Sequence, residues 1–130
     1  MIVQSGGVHH LALRVASPER SAAFYSGLLG LDELRRQTDD RGHLCAIWLD
    51  LGGGQGGPIL MLERALRGGG ASVGSGHVLA LAIDDLAEAV ISLEVAGIAI
   101  DDRTDYTLFV RDPDGHRVGL SVFDRHRLRE

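Results

Sequence analysis

Few residues of this chain are of types that do chemistry, and most of those lie where another role is expected. Cys45 is the single thiol. It lies within the apolar run LCAIWL, where a packed strand thiol is expected rather than a nucleophile, and one cysteine cannot form an internal disulfide. The run GGGQGG at 52–57 has the composition of a phosphate loop. It lacks the Gly-Lys-Ser/Thr ending and falls between strand-like segments, so a flexible hairpin loop is expected. His10 and Tyr106 are candidate proton-transfer groups, yet no second carboxylate or nucleophile stands in clear relation to them. The remaining set is of a different kind. Trp48, Met61, Tyr106 and Phe123 offer large, adaptable contact area, with His10 or Arg14 as a polar anchor, which is the composition of a small-molecule pocket. For Trp48 and Met61 taken singly, ordinary core packing is an equal alternative. His9, His43, His116 and His126 are expected to be exposed.

The elements that must position these residues come in two similar runs. Val8 to Val15 alternates, with Leu11, Leu13 and Val15 on one face and His10, Ala12 and Arg14 on the other. Ser17 then offers an N-cap, Pro18 suits a first helical turn, and SPERSAAFYSGLL carries Phe24, Tyr25 and Leu28 at helical spacing up to a stop at Gly30. Extended segments are expected at Leu31 to Gln37, Leu44 to Leu51 and Pro58 to Glu63. The glycine-rich stretch GGGASVGSG at 68–76 reads as a linker. The order then restarts. His77 to Ile83 reads as a strand, and Asp84 or Asp85 caps a helix with Leu86, Ala89, Val90 and Leu93 as its buried stripe. Gly97 stops it, and an extended piece follows at Ile98 to Ile100.

The chain closes on YTLFVRDPDGHRVGLSVF, two strands about a reversal at Asp112-Pro113-Asp114-Gly115. Alternation puts Val118, Leu120 and Val122 on one face of the last strand and Arg117, Gly119, Ser121 and Phe123 on the other. Each half reads β-α-β-β-β, a module duplicated once rather than a repeat array.

The 130 residues carry a formal charge of -5 and no basic run, which argues against a nucleic-acid partner. Arg125, Arg127 and Arg129 alternate with acidic and histidine neighbours and read as a solvated tail. No apolar run approaches the roughly 20 residues needed to span a membrane. The start, MIVQSGGVHH, has neither the charged beginning nor the apolar centre of a signal peptide. A reducing, cytoplasmic setting is therefore expected.

The stretches HHLALRVASPERSAAFYSGLLGL, HVLALAIDDLAEAVISLEVAGI and YTLFVRDPDGHRVGLSVF together resemble the vicinal oxygen chelate superfamily. This group holds glyoxalase I, extradiol dioxygenases, and fosfomycin- and bleomycin-resistance proteins. The resemblance covers nearly the whole chain. It implies an α+β fold of paired βαβββ modules forming a cup-shaped mixed sheet, with the helices on the outer face. Module one is expected over 1–67, the linker over 68–76 and module two over 77–130, in a homodimer. In metal-dependent members, His or Glu on the first and last strands of the modules hold a divalent ion. Here His10 is in register with the first-strand ligand, and Arg14 falls where some glutathione-using members bind substrate. The other ligand positions fall on Met61, Val78 and Gly119, none of which is a donor.

Two readings follow from the resemblance. The first is a small-molecule-binding protein of the bleomycin-resistance type, without metal or cofactor, using His10, Arg14, Trp48, Met61, Tyr106 and Phe123. The second is a metal-dependent lyase, isomerase or dioxygenase with a rearranged site of His10, Glu63 and His77 plus water.

Overall fold

The computed structural model describes residues 3–66, 76–124 and 128. The chain divides into two compact units, Met1–Ala71 and Ser72–Glu130. Apart from Gly76, the expected linker lies outside the described residues, as do Arg125, His126, Arg127 and Arg129 of the tail.

The first unit opens with strand β1, His10–Arg14. The Ser17 side chain accepts from the Arg20 backbone N–H, capping helix α1, Pro18–Ala22. The helix then widens into a π-helical segment, Ala23–Leu28. There the Leu29 N–H reaches the Phe24 carbonyl, and Gly30 ends the run at a φ of 79°. Consecutive Phe24 and Tyr25 are both buried and meet edge to face at 5.0 Å. Strands β2 (Glu33–Thr38), β3 (Leu44–Asp50) and β4 (Ile59–Glu63) complete the sheet, in the order β1-β4-β3-β2. β1 runs parallel to β4, and the other pairs are antiparallel. Helix α1 packs on β3 and β4. Leu13, Ile47, Leu49, Leu60 and Leu62 form the buried face, as their alternation requires.

The second unit repeats the plan with β5 (Leu79–Ala82), α2 (Leu86–Ala96), β6 (Asp102–Arg103), β7 (Thr107–Arg111) and β8 (Arg117–Ser121), in the order β5-β8-β7-β6. The Asp85 carboxylate accepts from the Glu88 N–H, and Gly97 closes the helix in the left-handed region at a φ of 72°. Leu93, Leu108, Val110, Val118 and Leu120 are buried. Each unit is therefore a βαβββ module, and the α+β assignment stands.

One expected element moves. The extended piece placed at Ile98 to Ile100 is not a strand; pairing with β7 begins at Asp101, whose N–H reaches the Phe109 carbonyl. The reason is local. The Ile98 N–H is used by the helix end, where it donates to the Leu93 carbonyl at 2.9 Å.

A single device shapes the turns of both units. At Asp39, Asp50 and Asp112 the carboxylate accepts backbone N–H groups from the residues two and four further on: Arg41 and His43, Gly52 and Gly54, Asp114 and His116. Asp112 is 5% exposed, so its loss would leave covered N–H donors without their acceptor. Asp112→Ala is expected to lower stability by about 1–3 kcal/mol, read as a lower urea midpoint at unchanged slope. Asp39 is solvent-accessible, and the backbone N–H of His43 holds its carboxyl below the usual carboxylate value against a small opposing effect of burial. A lowered folded value means the stabilisation is present above the unfolded value and fades as pH falls through the folded one. Asp39→Asn should therefore lower the melting temperature in the neutral range and flatten its decline below about pH 4, so that the two proteins converge in acid.

Candidate functional site

The face of the first sheet turned away from its buried leucines gathers the polar and aromatic residues. Pairing sets them in rows across the strands. Ala12, Met61, Trp48 and Arg35 form one row, and Arg14, Glu63, Ala46 and Gln37 form the next. Neighbouring strands lie about 4.8 Å apart, so four of them give a platform roughly 14 Å wide. Trp48 and Met61 are half-buried, whereas Leu49 and Leu60 beside them on the opposite face are at 0% exposure. They are surface residues of the sheet and not part of its closed core.

Trp48 is held on two sides. Its indole Nε1–H donates to Glu63 Oε1 at 3.2 Å, and the Arg35 guanidinium lies 5.4 Å from the ring centroid. A guanidinium over an indole face is a favourable cation–π contact, so this ring already receives a planar cation. The platform runs into an open groove of about 520 Å³ lined by Gln37, Asp39, Cys45, Ala46, Glu63, Arg64 and Ala65. Cys45 is half-buried there, with its Sγ 3.3 Å from the Gln37 carbonyl, an ordinary packed thiol contact.

His10 and Arg14, both exposed, share this face with Met61. Arg14 is the cross-strand neighbour of Glu63, but His10 pairs with Ile59. Glu63 is four residues further along β4 than Ile59, a separation of about 13 Å at strand rise. Arg35 and Gln37 were not legible as site residues from sequence. Their positions depend on the β2–β3 register, which shifts twice, between Glu33 and Arg35 and between Gln37 and Thr38.

In the second unit the corresponding face is made of small residues. Ala80 and Ala82 of β5 pair with Gly119 and Ser121 of β8, and Gly119 is paired with Phe109 of β7. A Cβ built on Gly119 would meet Thr107 Cγ2 at 3.3 Å, Ala80 Cβ at 3.4 Å and Phe109 Cε1 at 3.4 Å. The Phe109 ring is fixed in turn by the Arg117 guanidinium, 4.4 Å from its centroid, and the Thr107 hydroxyl donates to Ser121 Oγ at 2.8 Å. Tyr106 and Phe123 flank the strand ends as an edge-to-face pair with centroids 5.5 Å apart, 43% and 45% exposed. They form an aromatic patch of their own. His77 precedes β5 and is exposed.

These placements test the metal centre that the resemblance implies. The residues present do not fit it. His10 and Glu63 lie at opposite ends of a five-residue stretch of paired strand, and Gly119 has no donor, with Thr107 Cγ2 only 3.3 Å from where a Cβ would stand. Among the described residues, no three His, Cys, Asp or Glu side chains are grouped as metal ligands.

Comparison with known proteins agrees with the module architecture. The family model described as Glyoxalase/Bleomycin resistance protein/Dioxygenase superfamily matches residues 7–120. A curated relative, the probable lactoylglutathione lyase of Vibrio cholerae, is 25% identical over 121 residues, covering 85% of this chain and 86% of its own length. Among solved structures, an antibiotic-binding protein from Streptomyces sp. CB03234 is similar with a TM-score of 0.69 at 23% identity, over 92% of this chain and 98% of that one. The trypanothione-dependent glyoxalase I of Leishmania major is similar with a TM-score of 0.68 at 25% identity, over 90% of this chain and 86% of its own. At that level of identity the Streptomyces likeness is one of fold.

Proposed function

The chain belongs to the Glyoxalase/Bleomycin resistance protein/Dioxygenase superfamily, and from that premise we propose that it is a metal-independent small-molecule-binding protein of the bleomycin-resistance type. The observation that carries this reading is the half-exposed Trp48–Met61 pair on the outward sheet face, bordered by Arg35 and Glu63. An aromatic platform beside a thioether gives adaptable apolar contact, and the two charges fix orientation. The reading takes Trp48 and Met61 as the contact floor, His10 and Arg14 as polar groups at its margin, and Tyr106 and Phe123 as a ligand-contacting aromatic patch of the second unit in its own right. A planar aromatic compound is the ligand class such a surface suits, as an antibiotic is for the Streptomyces protein by its name.

No helix among the described residues is long and apolar enough to cross a membrane. On the same reading the protein acts in the cytoplasm as a homodimer, and a monomer mass by light scattering would contradict the second part. A thermal-shift screen with bleomycin and a panel of planar aromatic drugs tests the binding. A ligand present at a hundred times its Kd adds about 2.7 kcal/mol of stability, a shift of several degrees. A panel that moves the melting temperature nowhere would remove the support.

The identity to the Vibrio cholerae lyase favours a second reading, a metal-dependent lyase or isomerase. Its donors would be His10, Glu63 and His77, and it requires the roughly 13 Å between His10 and Glu63 along the strands to be closed. Stoichiometric manganese or zinc that is lost on Glu63→Gln would establish it in place of the first.

A further inference from the structure

The platform leaves one group of donors unexplained. His9 and His10, adjacent at the head of β1, turn their rings toward each other with Nδ1 atoms 2.9 Å apart. The ring centroids are 5.2 Å apart and the planes cross at 81°. Side chains of consecutive strand residues point to opposite faces. These converge because β1 begins only at His10, so His9 is free of that alternation. The backbone beneath them is nevertheless pinned: the His9 carbonyl accepts from the Ile59 N–H at 3.1 Å, and His10 is in register with Ile59. Both side chains are exposed.

We propose that the His9–His10 pair is a chelating site for a borderline divalent transition metal, copper(II) first and nickel(II) second, bound through the two Nδ1 atoms. The order, copper(II) before nickel(II), follows the general affinity of imidazole donors for divalent ions. Two nitrogens at a right angle on an ion with bonds of about 2.0–2.1 Å lie about 2.9 Å apart, so both rings can reach one ion without moving far from their hydrogen-bonded spacing of 2.9 Å. Without metal, one ring donates an N–H to the other, and which ring does so is a matter of tautomer. The ion takes the place of the proton at Nδ1, which moves by way of solvent to Nε2 of the same ring, so both histidines bind as neutral imidazoles and no oxidation or reduction is involved. Water fills the remaining positions.

This site shares only His10 with the family-type centre that the chain does not fit. It uses His9, which has no place in that centre, and dispenses with Glu63, about 13 Å away along the ladder. It shares His10 with the margin of the Trp48 platform but not Trp48 or Met61, so Trp48→Ala separates ligand binding from copper binding.

The test is titration of untagged full-length protein with copper(II) chloride and, separately, nickel(II) chloride, followed by equilibrium dialysis and by paramagnetic resonance of the copper sample. One equivalent of copper is expected, with nitrogen couplings from two imidazoles. Affinity should fall about tenfold or more in His9→Ala and likewise in His10→Ala, and stay unchanged in Glu63→Gln and His77→Asn. Because both histidines are exposed, circular dichroism should report the same fold in every variant. His9→Asn and His10→Asn serve as a second pair should an alanine variant misfold. Copper uptake indifferent to His9, or uptake lost with Glu63 or His77, would overturn the proposal, as would no uptake at all.

Discussion

Trp48→Ala is expected to weaken binding of a planar aromatic ligand by about thirty- to a hundredfold, close to 2–3 kcal/mol. The indole is the largest apolar surface on the outward face of the first sheet, and it is held rigid there by Glu63 Oε1 at 3.2 Å and by the Arg35 guanidinium. A rigid ring loses little entropy on binding, which is why aromatic anchors dominate interface energies. Truncation removes the stacking surface and releases both Arg35 and Glu63 from their partner. Trp48→Phe separates these effects, since it keeps a ring but deletes the Nε1–H; its loss should be severalfold only. Calorimetric titration measures the affinities, and urea unfolding of the free variants keeps folding apart from binding. An alanine variant that binds as tightly as the parent would move the ligand off this face.

Gly119→Glu is the second large effect. It puts a carboxylate where the resemblance implies a metal ligand, and it is expected to destabilise the second unit by about 2–4 kcal/mol without creating a metal centre. The Cβ alone would press on Thr107 Cγ2, Ala80 Cβ and Phe109 Cε1, at 3.3–3.4 Å. The carboxylate beyond it would have to be accommodated beside the Phe109 ring, which lies 4.4 Å from the Arg117 guanidinium. Gly119 has no positive φ, so backbone strain adds nothing and the cost is one of space and desolvation. Denaturant titration gives the stability, and elemental analysis after dialysis against manganese gives the metal content. A Gly119→Glu protein of unchanged stability holding one manganese would show that the site lacked only its carboxylate.

The same residues show what could be read from sequence. The division of β8 into Val118 and Leu120 on one face and Gly119, itself buried, on the other followed from alternation. Asp85 and Gly97 announced the ends of α2 for equally local reasons. On β1 and β4, alternation likewise placed His10, Arg14, Met61 and Glu63 on one face. It could not tell how far apart they lie along that face. The distance between His10 and Glu63 is set by the parallel pairing of His10 with Ile59, a property of two strands that meet from far apart in the chain. Arg35 stayed hidden for a related reason, since ELRRQT reaches Trp48 only through a doubly shifted register. The His9–His10 contact depends on where β1 starts, a boundary that a period-2 pattern does not fix.

Trp48 is the only tryptophan in the chain, so its emission reports on the platform without a label. The most direct test is a fluorescence titration of untagged protein with the strongest ligand from the aromatic panel, run once in excess EDTA and once with manganese or zinc. Saturable quenching with the same Kd in both, abolished in signal and affinity together by Met61→Arg, is the result predicted for a metal-independent binder. Binding that vanishes in EDTA and returns with the added ion would contradict it.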